Sequence, residues 1–480
     1  MIQNNGLKTL QQLFQTSADV QFSENIFNKQ VVYFITCDKM VDEKFLHQTV
    51  VPRIQHVIEE AGNNFSCNHL TEHLHLPNLK EITDLTEAEI NVYKGFLLIF
   101  FEKEQRLFQV NIIKRPNRNP EESNAEVTIK GPRDNFIEDL STNIALVRKR
   151  LPTRSLAVSK MELGKRSNTE VAILYFEDIA DPETFKEIKQ KLSEIDTDIV
   201  ISGDLILESV IKYDSIFPQV DYTGRPDYAI QALARGRFVI LVEGVAYANI
   251  VPINLFLLVK TSEDNDVSPV FSSAERILRI ISLLIGSFLP GIWLALTTFH
   301  PNQLPFQLLA TIVQANIGLP LPSALEMLLM VFLFELLREA GLRLPSIIGS
   351  TIGIVGGLII GDAAIRAGIT SPAMVVIIAT STIATYTLVN QSLVTAVSIV
   401  RLFTIIFASL FGLFGFIMAL FLILIYLCNI RTFGVPYLNI GEELSWQNIA
   451  NTLLRRHTKN QSTRPKMLNP KDATRSKQAK

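Results

Sequence analysis

A long stretch almost free of charge is the feature that most limits what this chain can become. Residues 280 to 430 carry only eight charged side chains in 151 positions: Glu326, Glu335, Arg338, Glu339, Arg343, Asp362, Arg366 and Arg401. The 279 residues before them carry 71 of the chain's 92. One globular domain with a uniform polar surface does not produce that asymmetry, so the chain reads as a soluble-type N-terminal half, a membrane block and a short basic tail. Segments 280–299, 345–365, 371–397 and 402–430 each reach the roughly 20 apolar residues that a membrane helix needs. Two shorter stretches, Leu304 to Leu319 and Ser323 to Leu337, are bounded by Pro301, Pro305, Pro320 and Pro322. They stand open between full spans, a re-entrant hairpin and an interfacial helix, which leaves four to six spans, an even number if both chain ends lie on the same side.

The N-terminal half alternates β-branched or aromatic runs with amphipathic segments. VVYFITC (31 to 37) precedes a helical pattern from Lys44 to Glu60, and AILYFED (172 to 178) precedes one from Glu183 to Glu194. Val41-Asp42 and Ala180-Asp181 occupy matching places in the two stretches, which suggests an internal repeat of two lobes. Residues 92 to 114 read as a hairpin. The apolar run 238 to 259 is long enough to span a bilayer, but Glu243, Asn249, Pro252 and Asn254 interrupt it, so buried strands are expected there. The expected fold class is an α/β two-lobed cytosolic N-terminal domain followed by an α-helical multi-span membrane domain. The lobes are expected at 1–150 and 151–274, the membrane helices at 275–432 and a basic cytosolic tail at 433–480.

A net charge of −2 gives no reason to expect nucleic acid. The strong bias is in residues 451 to 480, where nine Lys and Arg face the single acid Asp472. Positive segments beside membrane helices stay on the cytoplasmic side, so Arg431, Arg455, Arg456 and Lys459 are expected to hold the C-terminus inside. Cys37, Cys67 and Cys428 are too few and too scattered for a disulfide framework. The start, MIQNNGLKTLQQLF, has no long apolar run and no cleavage pattern, and a cytoplasmic N-terminal half is expected.

Chemistry-bearing motifs are sparse. His69, Glu72 and His73 match the spacing of inverted zinc-protease motifs, but no distal third ligand is evident, and chance histidines in a polar segment explain the string better. No phosphate loop, nucleophile elbow or cysteine pair accompanies it, so no enzyme activity, metal or cofactor is expected. In the membrane block Gly349, Gly353, Gly357 and Gly361 recur every four residues, with Ser350 alongside. Such a face permits close backbone approach, either to another helix of the same chain or around an oligomer axis with a polar conduit. Glu326 and Asp362 lie deeper in the block than the other charges, with Arg366 four residues after Asp362. Each either lines a polar pathway, snorkels or pairs across helices. Pro226 suits a first helical turn, Asp227 beside it complements the positive helix end, and Arg225 is free to tie the loop to a carboxylate.

Six segments carry a family likeness: FPQVDYTGRPDYAIQALARGR (217 to 237), ERILR (275 to 279), FHPNQLP (299 to 305), PLPSALE (320 to 326), FELLREAGLRLP (334 to 345) and GSTIGIVGGLIIGDAAIRAGITSP (349 to 372). In order and spacing the chain resembles the GerA family, the A subunits of bacterial spore germinant receptors, from about residue 15 to 435. The resemblance implies a two-lobed cytosolic domain, residence in the spore inner membrane, and assembly with a permease-like B subunit and a lipoprotein C subunit. It also implies A subunits that oligomerise to form or gate a cation-conducting path when nutrient binds. The chain departs from the family pattern at Gly224, at Glu243-Gly244-Val245-Ala246, at Asp362 and around Val389-Asn390, where a proline is usual. A sporulation homologue that amplifies ion release without its own nutrient shares this architecture. A stand-alone secondary transporter is the alternative from another class, and it is disfavoured because no second copy of the glycine helix is found.

Overall fold

In the computed structural model Asn28 and Lys29 have φ of 43° and 67°, the backbone that a two-residue hairpin turn requires. They fold β1 (Val20–Phe27) onto β2 (Gln30–Cys37). Residues 6–62, 65–67, 74, 76–114, 132, 134–211, 215–343, 357, 359–438, 454–455 and 464–474 are described by the structure. They belong to two units, one of residues 1–213, 220–252 and 458–480, the other of 214–219 and 253–457.

The first unit holds two lobes. Lobe one runs α1 (Gly6–Leu13), β1, β2, α2 (Val51–Ala61), β3 (Lys80–Ile82), α3 (Leu85–Lys94), β4 (Phe96–Phe101), β5 (Arg106–Asn111) and α4 (Leu140–Arg150). Lobe two runs β6 (Leu156–Leu163), β7 (Thr169–Phe176), α5 (Pro182–Ser193), α6 (Gly203–Val210), β8 (Asp221–Thr223), α7 (Pro226–Leu233), β9 (Phe238–Val242) and β10 (Ala248–Val251). The sheets have the orders β1-β2-β4-β5-β3 and β6-β7-β9-β10-β8, the same topology twice. Asp42 and Asp181 do the same work in each copy, accepting the backbone N–H of Phe45 and of Thr184, both at 3.2 Å, at the start of the following helical segment.

The expected α/β alternation is present, but among the described residues the strand pairs of both sheets are antiparallel. The reason is a split crossover. Helix α3 joins β3 to β4, which point the same way, and β5 lies between them. Helix α7 does the same for β8 and β9 around β10. Helices cover both faces of the first sheet: Val32, Phe34 and Ile99 pack with Ile54 and Ile58, while Ile35, Leu98 and Phe100 pack with Leu10, Val92 and Tyr93. That two-sided burial is why β4 reads FLLIFF without polar alternation. The run 238 to 259 is resolved as β9, β10 and a helical turn at Leu255–Leu258, as expected from its interruptions.

The second unit contains α8 (Pro269–Phe299), α9 (Phe306–Asn316), α10 (Ser323–Arg343), α11 (Pro372–Thr385) and α12 (Gln391–Asn429). Among the described residues, α8 and α12 are the two helices long and apolar enough to cross a membrane, with 31 and 39 residues. At 1.5 Å per residue they run about 46 and 58 Å. The expected segments 371–397 and 402–430 are cut differently: a break at 386–390 ends α11, and Asn390 caps α12 by accepting the Leu393 N–H at 3.0 Å. Helix α12 then continues through the second segment. Its kink falls at Gly412, with φ 60° and ψ −138°. A Cβ at Gly415 would lie 2.0 Å from the Phe407 carbonyl oxygen, so the kink also requires glycine there. Most of the segment 345–365 lies outside the described residues.

Candidate functional site

Helix α8 carries small residues at Ser287, Gly291 and Ala295, all buried and four apart. A Cβ at Gly291 would meet Thr404 of α12 at 3.1 Å, Thr404 Oγ1 donates to the Ser287 carbonyl at 3.1 Å, and Ser381 Oγ of α11 donates to the Gly286 carbonyl at 2.9 Å. This seam brings three helices close, and its fully buried Ser381 and Thr404 hydroxyls donate to carbonyls of α8.

Beside the seam lies a charged cluster. Arg401 of α12 is 1% exposed, and its NH2 donates to Glu335 Oε2 at 3.1 Å. Its NH1 reaches the Ser381 and Thr382 hydroxyls at 3.4 and 3.5 Å. Glu335 also pairs with Arg338, three residues along α10, and Arg338 NH1 donates to Ser398 Oγ at 2.9 Å. The expected Glu335–Arg338 pair is therefore part of a larger network. Two guanidiniums share one carboxylate, leaving an excess of positive charge. The Nε atoms of Arg338 and Arg401 are buried with no hydrogen-bond partner among the described residues. Removing one partner of a buried ion pair costs about 3–5 kcal/mol, so α10, α11 and α12 are tied together by groups that cannot separate cheaply.

Glu326, at the start of α10, is 1% exposed. Its Oε1 accepts from Thr370 Oγ1 at 2.8 Å, from the Ser371 N–H at 2.7 Å and from Ser371 Oγ at 3.1 Å. Ser371 is itself the N-cap of α11, accepting the Met374 N–H. Glu326 therefore sits as a carboxylate at the positive end of α11. Glu326→Ala strands those donors and should cost about 1–3 kcal/mol, whereas Glu326→Gln keeps an acceptor and should cost less. Thermal unfolding of the full chain in detergent checks both, and equal losses would discount the capping role. Asp362 is more than half exposed and pairs with Arg366 at 2.8 Å.

Of the glycine face, Gly349, Ser350 and Gly353 lie outside the described residues. Gly357 and Gly361 are turned toward the same chain: a Cβ would meet Phe334 of α10 at 3.8 Å and Val375 of α11 at 3.3 Å. His69, Glu72 and His73 also lie outside the described residues.

Arg225, Pro226 and Asp227 open α7 as their chemistry suggested. Pro226 is the first helical residue, and the carboxylate that Arg225 ties is Asp227 itself, at 3.0 Å from Nε and 2.8 Å from NH2. Arg225 is 1% exposed, so the pair is internal to the lobe. The residue after Asp227, Tyr228, donates to Asp221 Oδ2 at 2.9 Å; burial, with the Asp221 carboxylate beside it, pushes this phenol well up. Before α8, Asp264 is 1% exposed and gripped by both arginines of ERILR, Arg276 at 2.6 Å and Arg279 at 2.9 Å. Burial alone would raise its carboxyl, but the two guanidiniums outweigh that and hold it below the usual carboxylate range. Neither Asp264 nor the Arg401 link was singled out from sequence, because their partners lie on other elements.

A family model described as Bacillus/Clostridium GerA spore germination protein matches residues 8–467. This chain belongs to the GerA family. The GerA-family chain is 39% identical over 446 residues to spore germination protein XA of Bacillus anthracis, covering 92% of this chain and 91% of that one. It is 32% identical to spore germination protein KA of Bacillus subtilis, over 91% and 80% of the two chains. It is 31% identical to the B. subtilis membrane protein YfkQ, over 90% and 85%. A crystal structure of the N-terminal domain of the A subunit of the Bacillus megaterium germinant receptor GerK3 aligns with 51% of this chain and 92% of that one, at 22% identity and a TM-score of 0.39. As a GerA-family protein, the chain is a spore germination protein.

Proposed function

We propose that this GerA-family chain is the A subunit of a nutrient-responsive germinant receptor, a multi-pass protein of the spore inner membrane with its N-terminal domain and C-terminal tail in the cytoplasm. In this reading it assembles with a permease-like B subunit and a lipoprotein C subunit, and its copies oligomerise to form or gate a cation-conducting path. It has no enzymatic role. The observation that carries the reading is the family match across nearly the whole chain, supported by relatives of similar length named as spore germination proteins. Helices α8 and α12 supply the length and apolarity that membrane residence needs. The Glu335–Arg338–Arg401 cluster has excess positive charge and disfavours cations beside it, so the cation path of this reading runs along other residues.

The oligomer part of the reading places the N-terminal part of the glycine face, Gly349 and Gly353, between neighbouring copies, while Gly357 and Gly361 pack against Phe334 and Val375 of the same chain. Single cysteines at Gly349 or Gly353 are expected to cross-link adjacent chains in spore membranes, while cysteine at Ile354, Gly357 or Leu358 is not. A receptor that stays active while Gly349 and Gly353 never cross-link would confine the whole face to packing within one chain.

A further inference from the structure

The basic tail reads as a topology signal, yet residues 464–474 are folded onto lobe two within the first unit. The segment closes on itself: the Arg464 N–H donates to the Ala473 carbonyl at 2.9 Å, and Arg464 NH1 donates to Asp472 Oδ2 at 2.8 Å. Leu468 at its bend is 4% exposed, although its neighbours Lys466 and Lys471 are charged. Three contacts then fix it to the lobe. Arg464 Nε donates to the carbonyl of Ala234, the C-cap residue of α7, at 3.1 Å. The Lys471 N–H donates to the Ile179 carbonyl at 2.9 Å, and Lys471 Nζ to the Glu177 carbonyl at 3.0 Å, just beyond β7. A cation at a helix C-terminus satisfies a carbonyl that the helix leaves unpaired and meets its negative end, which is a recognition geometry. Helix α7 is thereby held at both ends, by the Arg225–Asp227 pair at its start and by Arg464 at its finish.

We propose that residues 464–474 are an anchoring clasp: a segment of this chain seated on a dedicated surface of lobe two, formed by the end of α7 and the residues after β7. The polypeptide that leaves α12 returns to lobe two through this clasp, so the helical unit is connected to that lobe at both its entry and its exit. Its role is coupling, passing changes in one unit to the other, and this role rests on the germinant-receptor reading above.

The test uses the full chain in spores. Arg464→Ala with Leu468→Asp should leave protein abundance unchanged and lower the nutrient response by about tenfold, an ordinary size for coupling between sites. Gly236→Cys with Pro470→Cys offers a covalent replacement for the lost contacts. An ideal Cβ at Gly236 lies 3.9 Å from the Pro470 Cβ, and disulfides span roughly 3.5–4.5 Å between Cβ atoms. Under mild oxidant it should form within one chain, seen as a monomer of altered mobility, and restore the response when combined with the Arg464 and Leu468 changes. Gly236 has φ 91°, so Gly236→Cys alone controls for backbone strain, and Gly62→Cys with Pro470→Cys controls for chance collision.

Parental response from the Arg464→Ala/Leu468→Asp chain at equal abundance would overturn the coupling role. So would a disulfide that forms without restoring the response. A dimer-sized product would mean that a neighbouring chain supplies the segment, which overturns an intrachain clasp. Should spores with the parental chain respond no better than spores lacking it, the receptor reading fails instead, and disulfide formation alone then decides whether the clasp exists.

Discussion

Glu335→Ala should be among the most damaging single changes in the helical unit, costing about 3–5 kcal/mol. The carboxylate is the shared counter-charge of Arg401, whose side chain is 2% exposed, and Arg338, at 10%. Without it two guanidiniums sit close together with only the Ser381, Thr382 and Ser398 hydroxyls to offset their desolvation. Arg401→Ala should cost clearly less, because Glu335 keeps Arg338. Glu335→Gln combined with Arg401→Met should recover much of the loss, since removing both charges removes the need for either. The midpoint of thermal unfolding of the full chain in detergent reads all three. The exposed Glu339, which pairs with Arg343, supplies the control, and a Glu335→Ala loss no larger than that of Glu339→Ala would sink the argument.

Asp19→Ala should have a comparable effect on the first unit, again about 3–5 kcal/mol, because Arg148 is 0% exposed and would be left buried without its partner. The pair is bidentate, with Arg148 Nε and NH2 donating to Asp19 at 2.7 and 2.9 Å. Arg148 also lies over the Tyr93 ring at 4.2 Å and donates to the Thr153 carbonyl at 2.9 Å. It belongs to α4, between the two lobes, and close by the Val158 N–H of β6 donates to the Thr16 carbonyl at 2.9 Å. The loss should therefore loosen the lobe junction as well as lobe one. Asp19→Leu with Arg148→Met should restore most of the stability. Arg150→Ala breaks a partly exposed pair with Asp134 and should cost about 0–1 kcal/mol. Chemical denaturation of the full chain followed by hydrogen exchange at the lobe junction measures the difference, and equal effects of Asp19→Ala and Arg150→Ala would contradict it.

What the sequence made legible was local. The hairpin of β4 and β5, which lies inside the stretch 92–114 although 92–94 end α3, the helices after Asp42 and Asp181 and the two-lobe repeat follow from alternation, caps and spacing, which act within a few residues of one another. Strand order did not follow, because a split crossover and a parallel one read alike until β5 or β10 is seen to lie between the joined strands. In the helical unit, attention to four evenly spaced glycines missed a second small-residue face, Ser287, Gly291 and Ala295. Its three members are of different types, which hides the repeat. Arg401 could be counted but not placed. Its partner Glu335 lies 66 positions earlier, and with no local acid its role depends wholly on how α10 and α12 pack. Glu326 was singled out for its depth, yet its partners Thr370 and Ser371 lie 44 and 45 positions away.

The release of monovalent cations from spores after nutrient addition, followed in time, tests the central claim most directly. Spores lacking this chain should lose or delay release for at least one nutrient mixture, and the parental gene should restore it, whereas a chain carrying Glu335→Ala should not. Parental release from the deleted spores in every nutrient mixture, with the chain shown to be present in the undeleted spores, would contradict the account.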